Sequence, residues 1–184
     1  MCGIVGILSS ENKELELDVM LQQQKHRGPD FTGKYMDKNC AYLGHNRLSI
    51  IDLSNQANQP FSDPEGRYYL TFNGEIYNYL ELKQDLRSKY TFITQSDTEV
   101  LLAAYIFYGK AMLNKLNGMF SFAIWDSMKK ELFAARDRFG VKPFYYFEEG
   151  NNLYFASEIK SLRSIKKDFQ LSSKVWSNYF SQKN

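Results

Sequence analysis

Cysteine stands at position 2, directly behind Met1. If Met1 is removed, Cys2 becomes the N-terminal residue, and its own α-amine, with an ordinary pKa of about 7.7–8.0, lies one residue's reach from a thiol of about 8.5. An amine of that pKa takes the thiol proton near neutral pH and can later deliver it to a leaving amine, the acid–base duty that histidine usually performs. Retention of Met1 would cap the amine and remove that base. The same residue also reads as a small buried hydrophobe opening a strand, and position alone leaves both readings standing.

Other chemistries find little support. The chain has only His26 and His45 and no Gly-x-Ser-x-Gly elbow, which argues against a Ser-His-Asp hydrolase. Cys2, His26, Cys40 and His45 lack the close Cys spacing of a zinc site, so no metal is expected. Neither a Walker A loop nor Gly-x-Gly-x-x-Gly occurs, which leaves phosphoryl and hydride transfer without a motif. The 184 residues carry 23 Lys+Arg against 21 Asp+Glu, a net charge of +2 with no basic footprint for nucleic acid. No apolar stretch approaches the roughly 20 residues of a membrane span, and no signal-peptide pattern is present. The cytoplasm, with reduced thiols, is the expected compartment.

The elements that must position Cys2 can be read from pattern. Gly3–Leu8 is a short apolar run and predicts a buried strand, followed by a helix striped with Leu17, Met20, Leu21 and Gln24 that stops before Arg27-Gly28-Pro29-Asp30. Segments 33–38, 40–51 and 67–73 read as strands, with a loop from Asp52 to Pro60. Tyr79, Leu82 and Leu86 stripe a second helix, and Ser96-x-x-Glu99 predicts a capping box opening a third. Met119–Asp126 with Glu131–Arg136, and Phe144–Phe147 with Asn152–Ala156, read as hairpins, the second turning about Glu148-Glu149-Gly150. Strands with helices grouped between them predict an α+β layered domain. A helical face of Val175, Trp176, Tyr179 and Phe180 closes the chain and suggests the entrance to a second domain.

Seven motifs interrupt this framework in a recognisable order: Met1-Cys2-Gly3-Ile4-Val5-Gly6-Ile7, His26-Arg27-Gly28-Pro29-Asp30, Arg47-Leu48-Ser49-Ile50-Ile51-Asp52, Asn73-Gly74-Glu75-Ile76-Tyr77-Asn78, Ser96-Asp97-Thr98-Glu99, Arg136 to Pro143 and Phe155 to Lys160. Together they resemble the glutamine amidotransferase domain of glutamine-hydrolysing asparagine synthetases, over residues 2 to about 162. The resemblance implies the N-terminal-nucleophile hydrolase fold, a four-layer αββα sandwich of two antiparallel sheets. It implies hydrolysis of L-glutamine to glutamate and ammonia through a Cys2 thioester.

By the same resemblance, Asn73 through its side-chain amide and Gly74 through its backbone N–H form the oxyanion hole, at a turn after a strand. Arg47 clamps the substrate α-carboxylate, Glu75 and Asp97 receive the α-ammonium, and the backbone of Leu48, Ser49, Ile50 and Ile51 lines the pocket. Taken singly, these residues have plainer readings: Asn-Gly as a hairpin turn, Arg47 as a solvated strand-end charge, Glu75 as a surface acid, and Asp97 as support for a helix N-terminus. Arg27 to Asp30 and Arg136 to Lys142 are expected to brace loops around the pocket, and Cys40 to be an inert thiol within a strand.

The family's synthetase half carries a Ser-Gly-Gly-x-Asp-Ser pyrophosphate loop for ATP, and this chain has no such segment. Residues 1–165 are therefore expected to form the glutaminase domain and 166–184 a linker or the start of a synthetase domain. Cofactors are expected to be none in this domain, with ATP and Mg confined to the synthetase domain, which would also be its partner. Two other readings stay open: another amide hydrolase of the same architecture, or a non-catalytic interaction domain.

Overall fold

The computed structural model describes residues 1–166 together with 168, 173, 177 and 181. Val175, Trp176, Tyr179 and Phe180, whose helical face suggested the entrance to a second domain, lie outside the described residues.

Among the described residues up to 166, nine strands and four α-helices follow one another as β1 (Gly3–Leu8), α1 (Glu14–Gln23), β2 (Phe31–Asp37), β3 (Ala41–Arg47), β4 (Phe61–Ser62), β5 (Tyr68–Ile76), α2 (Tyr79–Leu86), α3 (Asp97–Tyr108), β6 (Gly118–Asp126), β7 (Glu131–Arg136), β8 (Tyr145–Glu149), β9 (Asn152–Ala156) and α4 (Ile159–Arg163). The strands form two antiparallel sheets, one ordered β2-β3-β1-β9-β8 and the other β4-β5-β6-β7.

Side-chain alternation assigns each sheet two apolar faces. Val5 and Ile7 of β1, Tyr42 of β3 and Tyr154 of β9 pack under Leu17, Met20 and Leu21 of α1 and Leu162 of α4. Leu70 and Phe72 of β5 and Phe122 and Ile124 of β6 pack under α2 and α3 through Leu82, Leu86, Leu101 and Ala104. The opposite faces meet each other: Ile4, Ala41, Leu43 and Phe155 from one sheet enclose Ala123 and Trp125 from the other. Helices outside and sheets inside make an αββα sandwich, as expected. Among the described residues no helix is long and apolar enough to cross a membrane.

Several boundaries differ from the sequence reading. The strand read over 40–51 ends at Arg47, because the following backbone is captured by side chains, Asp30 taking the Ser49 N–H at 2.8 Å and Arg47 taking loop carbonyls. Asn73-Gly74 is not a turn. Register runs unbroken from Tyr68 opposite Asp126 to Ile76 opposite Gly118, so both residues lie within β5. Gly74 is needed there for close packing, since a Cβ would stand 2.4 Å from the Met119 carbonyl oxygen.

Ser96 does cap α3, accepting from the Thr98 N–H at 3.1 Å, but Glu99 does not reach back to close the box. Its buried carboxylate instead takes the N–H groups of Ile93 and Thr94 and the Thr94 hydroxyl, and that hydroxyl in turn receives the Ser96 N–H. The last hairpin turns at Gly150-Asn151, with Glu149 opposite Asn152 and Gly150 at φ +58°. Cys40 lies in the turn between β2 and β3 rather than in a strand, half-buried and unpaired with Cys2.

Candidate active site

Cys2 immediately precedes β1 and has the parity of Ile4, the residue that points between the sheets. Its Sγ accepts the Leu48 N–H at 3.4 Å and lies 3.6 Å from the Leu48 carbonyl. Burial pushes the thiol pKa up, and the Leu48 hydrogen bond offsets this in part. A thiol held protonated in this way needs a base before it can attack. Met1, at 59% exposure, projects into solvent. From behind, Arg27 Nε donates to the Cys2 carbonyl at 2.9 Å while its NH1 pairs with Glu158 at 3.1 Å. His26 and Lys160 also reach Glu158.

A cavity opens in front of the thiol, lined by Cys2, Arg47, Leu48, Ile50, Ile51, Gly74, Glu75 and Asp97, all expected from the sequence. Asp52, Ala57, Gln59, Phe72, Ser96 and Thr98 complete its wall. Ser49 and Asn73, the two remaining expected residues, do not line it. Ser49 turns its N–H to Asp30. Asn73 is buried beside Phe72 and Gly74, and its Nδ2 has no hydrogen-bond partner among the described residues. A buried amide donor without an acceptor carries a desolvation penalty of about 1–3 kcal/mol.

Arg47 ends β3, buried, with its guanidinium inside the loop that follows. NH1 donates to the Ser54 carbonyl at 2.8 Å and to Asn58 Oδ1 at 2.6 Å, and NH2 to the Asp52 carbonyl. Three of its five N–H donors are thus used. The Nε edge, with the second NH2 hydrogen, is the side-on fork that fits a carboxylate. Asp52 braces the same loop, taking the N–H groups of Ser54 and Gln95, and the Ser54 hydrogen bonds hold its pKa below the usual carboxylate range.

The free edge of β5 forms the opposite wall. β4 pairs with β5 only at Tyr69 and Leu70. In an antiparallel ladder both backbone groups of alternate residues face the same neighbour, so beyond Leu70 the N–H groups of Phe72, Gly74 and Ile76 face an edge without a strand. Phe72 donates to Gln59 Oε1 at 2.6 Å and Ile76 to Asp97 Oδ2 at 3.0 Å. Between them, the Gly74 N–H is left facing the cavity. Phe120, opposite Gly74, turns its own N–H and C=O to Asp137, consistent with this alternation.

Asp97 opens α3 and is buried. Burial raises its carboxyl pKa to about 6, the nearby Glu75 charge adding to the effect and the Ile76 N–H opposing it. His45, fully buried on β3, places Nε2 3.1 Å from the Phe72 carbonyl, which requires a protonated Nε2. Burial lowers its pKa to about 3, so the ring is neutral. Asp97 and Arg47 carry charges that a zwitterion would match. Among the described residues no three His, Cys, Asp or Glu side chains gather as metal ligands.

The sequence reading passed over Gln59, Phe72, Ser96 and Thr98. Phe72 looked like a core strand residue, which its side chain is, while its backbone lies at the site. Ser96 and Thr98 stood in a noted motif from which only Asp97 was given a role in the pocket. Gln59 carried no signal beyond lying in a loop.

The glutamine amidotransferase domain profile matches residues 1–184. Asparagine synthetase [glutamine-hydrolyzing] 1 of Bacillus subtilis is 44% identical, covering 98% of this chain and 29% of its own. Asparagine synthetase B of Escherichia coli is 40% identical over 96% of this chain and 33% of its own, and amidase chry2 of Gibberella zeae 42% identical over 88% and 26%. The chain thus spans about a third or less of the length of these curated relatives. Among solved structures, a glutamine phosphoribosylpyrophosphate amidotransferase from B. subtilis superposes with a TM-score of 0.78 at 25% identity, covering 89% of this chain and 43% of that one. By its full-length match and its relatives, the chain belongs to the glutamine amidotransferase domain family.

Proposed function

We propose that the chain hydrolyses the side-chain amide of L-glutamine to glutamate and ammonia, with Cys2 as nucleophile. Once Met1 is removed, the Cys2 α-amine takes the thiol proton and Sγ attacks the amide carbon. The developing oxyanion is met by the Gly74 N–H and by the unpartnered Asn73 Nδ2, which turns from behind the cavity wall to reach it. The amine returns its proton to the nitrogen, ammonia leaves, and a thioester remains. Water, deprotonated by the same amine, then attacks the thioester, and glutamate departs from the regenerated thiol.

Recognition divides along the cavity. The unused edge of Arg47 binds the α-carboxylate, Glu75 and Asp97 receive the α-ammonium, and the loop backbone from Leu48 to Ile51 closes over the substrate. The observation that carries the reading is the single open donor on the β5 edge. Among the described residues, the outer two of the three N–H groups facing that edge have partners and the Gly74 N–H has none, which leaves it to serve the oxyanion across from Cys2.

Residues 1–165 act in this reading as the glutaminase unit, with 166–184 leading toward an ATP-dependent, amide-forming synthetase domain that receives the ammonia. No cofactor is assigned to the glutaminase unit, and the cytoplasm suits its unpaired thiols. The likeness to an amidase favours a second reading, hydrolysis of a different amide by the same nucleophile. Arg47, Glu75 and Asp97 favour an α-amino acid. Trapping separates the two: a glutamine-derived chloroketone should add one adduct to Cys2 of Met1-processed protein, and excess glutamine but not a simple aliphatic amide should block it. Equal protection by both amides would favour the second reading.

A further inference from the structure

Within the glutaminase reading, we infer that Gln59 is a positioning residue for the oxyanion hole, setting the place of the Gly74 N–H without touching the substrate's reacting atoms. Its buried side chain joins the two elements that carry the site. Oε1 accepts the Phe72 N–H of β5 at 2.6 Å, and Nε2 donates to Thr98 Oγ1 in the first turn of α3 at 3.2 Å. Two residues further along β5, Asp97 of the same helical turn accepts the Ile76 N–H at 3.0 Å. Gln59 and Asp97 are therefore two struts between one strand edge and one helix start, and Gly74 lies midway between them.

The strut is anchored at both ends. The Gln59 carbonyl oxygen presses on β2 where a Cβ on Gly33 would stand only 1.9 Å away, so only glycine there admits the loop. On β5, the carbonyl of the same Phe72 receives Nε2 of the neutral His45 at 3.1 Å, tying the strand to the other sheet. Both backbone groups of Phe72 are thus held by side chains from outside its own sheet, two residues before the open donor. Beyond Leu70 no strand covers this edge of β5, and side chains take the place of one. Loss of the Gln59 acceptor leaves the Phe72 N–H buried and unpaired, and the edge can relieve this only by moving, which shifts Gly74.

The test compares Met1-processed wild type, Gln59→Leu and Gln59→Glu. Leu fills similar volume without an acceptor; Glu restores an acceptor for Phe72 and can also accept the Thr98 hydroxyl proton. Positioning of the oxyanion donor predicts a kcat for ammonia release reduced on the order of 100-fold in Gln59→Leu, with KM for glutamine within about threefold, and most of kcat recovered in Gln59→Glu. Alkylation of Cys2 by iodoacetamide, which forms no oxyanion, should keep its rate within about twofold. Unchanged kcat in Gln59→Leu, or a parallel fall in kcat and alkylation that Glu does not rescue, would overturn the assignment. Wild type without glutaminase activity would instead sink the functional reading. Amide hydrogen exchange at Phe72 and Gly74 then decides the strut: faster exchange at both in Gln59→Leu supports it, and unchanged exchange overturns it.

Discussion

The Leu48 N–H points at Cys2 Sγ from 3.4 Å, so the thiol is held by the first residue of the loop that Arg47 organises. Arg47 gathers loop carbonyls, and in the proposed reading it also offers its free edge to the substrate carboxylate. Lysine has neither the fork nor the reach to do both. Arg47→Lys is expected to raise KM for glutamine about 10- to 100-fold, the equivalent of one charge-assisted hydrogen bond. Steady-state kinetics check this; an unchanged KM would remove Arg47 from the substrate clamp.

With Asp97 as the proposed acceptor of the α-ammonium, binding is expected to depend on pH. Its folded-state pKa of about 6 lies above the unfolded value, so the protein is stabilised by this group at low pH and loses that contribution as pH rises through 6. Glutamine's ammonium prefers the ionised carboxylate and should draw the proton off. KM for glutamine is therefore expected to rise as pH falls below about 6, and Asp97→Asn to raise KM at neutral pH while flattening that dependence. A variant with the same acidic rise would point to another group.

Gly74 has no room for a side chain. Gly74→Ala must drive β5 away from Met119 and Phe120, at a cost of about 1–3 kcal/mol by the usual scale of overpacking. The same displacement moves the oxyanion donor, and kcat is expected to fall about 100- to 1000-fold. Thermal unfolding and turnover measured side by side would show both losses; a destabilised variant with full kcat would contradict the donor's role.

Arg27 holds the Cys2 carbonyl and Glu158 together. Arg27→Ala is expected to destabilise the fold by about 1–3 kcal/mol through the unpaired carbonyl and the weakened Glu158 pair. It should also slow alkylation and hydrolysis together, since the nucleophile's own backbone is released. This sets it apart from Gln59→Leu, where alkylation is spared.

Much of this architecture was legible in side-chain pattern. The apolar run of Gly3–Leu8 and the stripes of α1 and α2 fixed their places because those residues fill cores between layers. Motif order marked Cys2, Arg47 and Asp97, and these do meet in one cavity. What the pattern hid was backbone geometry. Asn73-Gly74 resembled a hairpin turn because the local dipeptide says nothing of β6, a strand more than forty residues away that pairs straight through it. Glu99 resembled a capping-box partner, yet the Ile93 and Thr94 amides competed for its carboxylate and won. Gln59 could not be recognised from its surroundings, since its role depends on β4 ending after two residues and leaving an edge to be held.

The central claim is that the Cys2 thiol, activated by its own freed amine, cleaves glutamine. The direct measurement is ammonia release from glutamine by three forms of the chain: Met1-processed wild type, processed Cys2→Ala, and wild type retaining Met1, each verified by intact mass. Turnover is expected in the first alone, with glutamate formed in equal amount. Equal turnover by the Met1-retaining form would remove the amine from the mechanism, and turnover surviving in Cys2→Ala would contradict the account altogether.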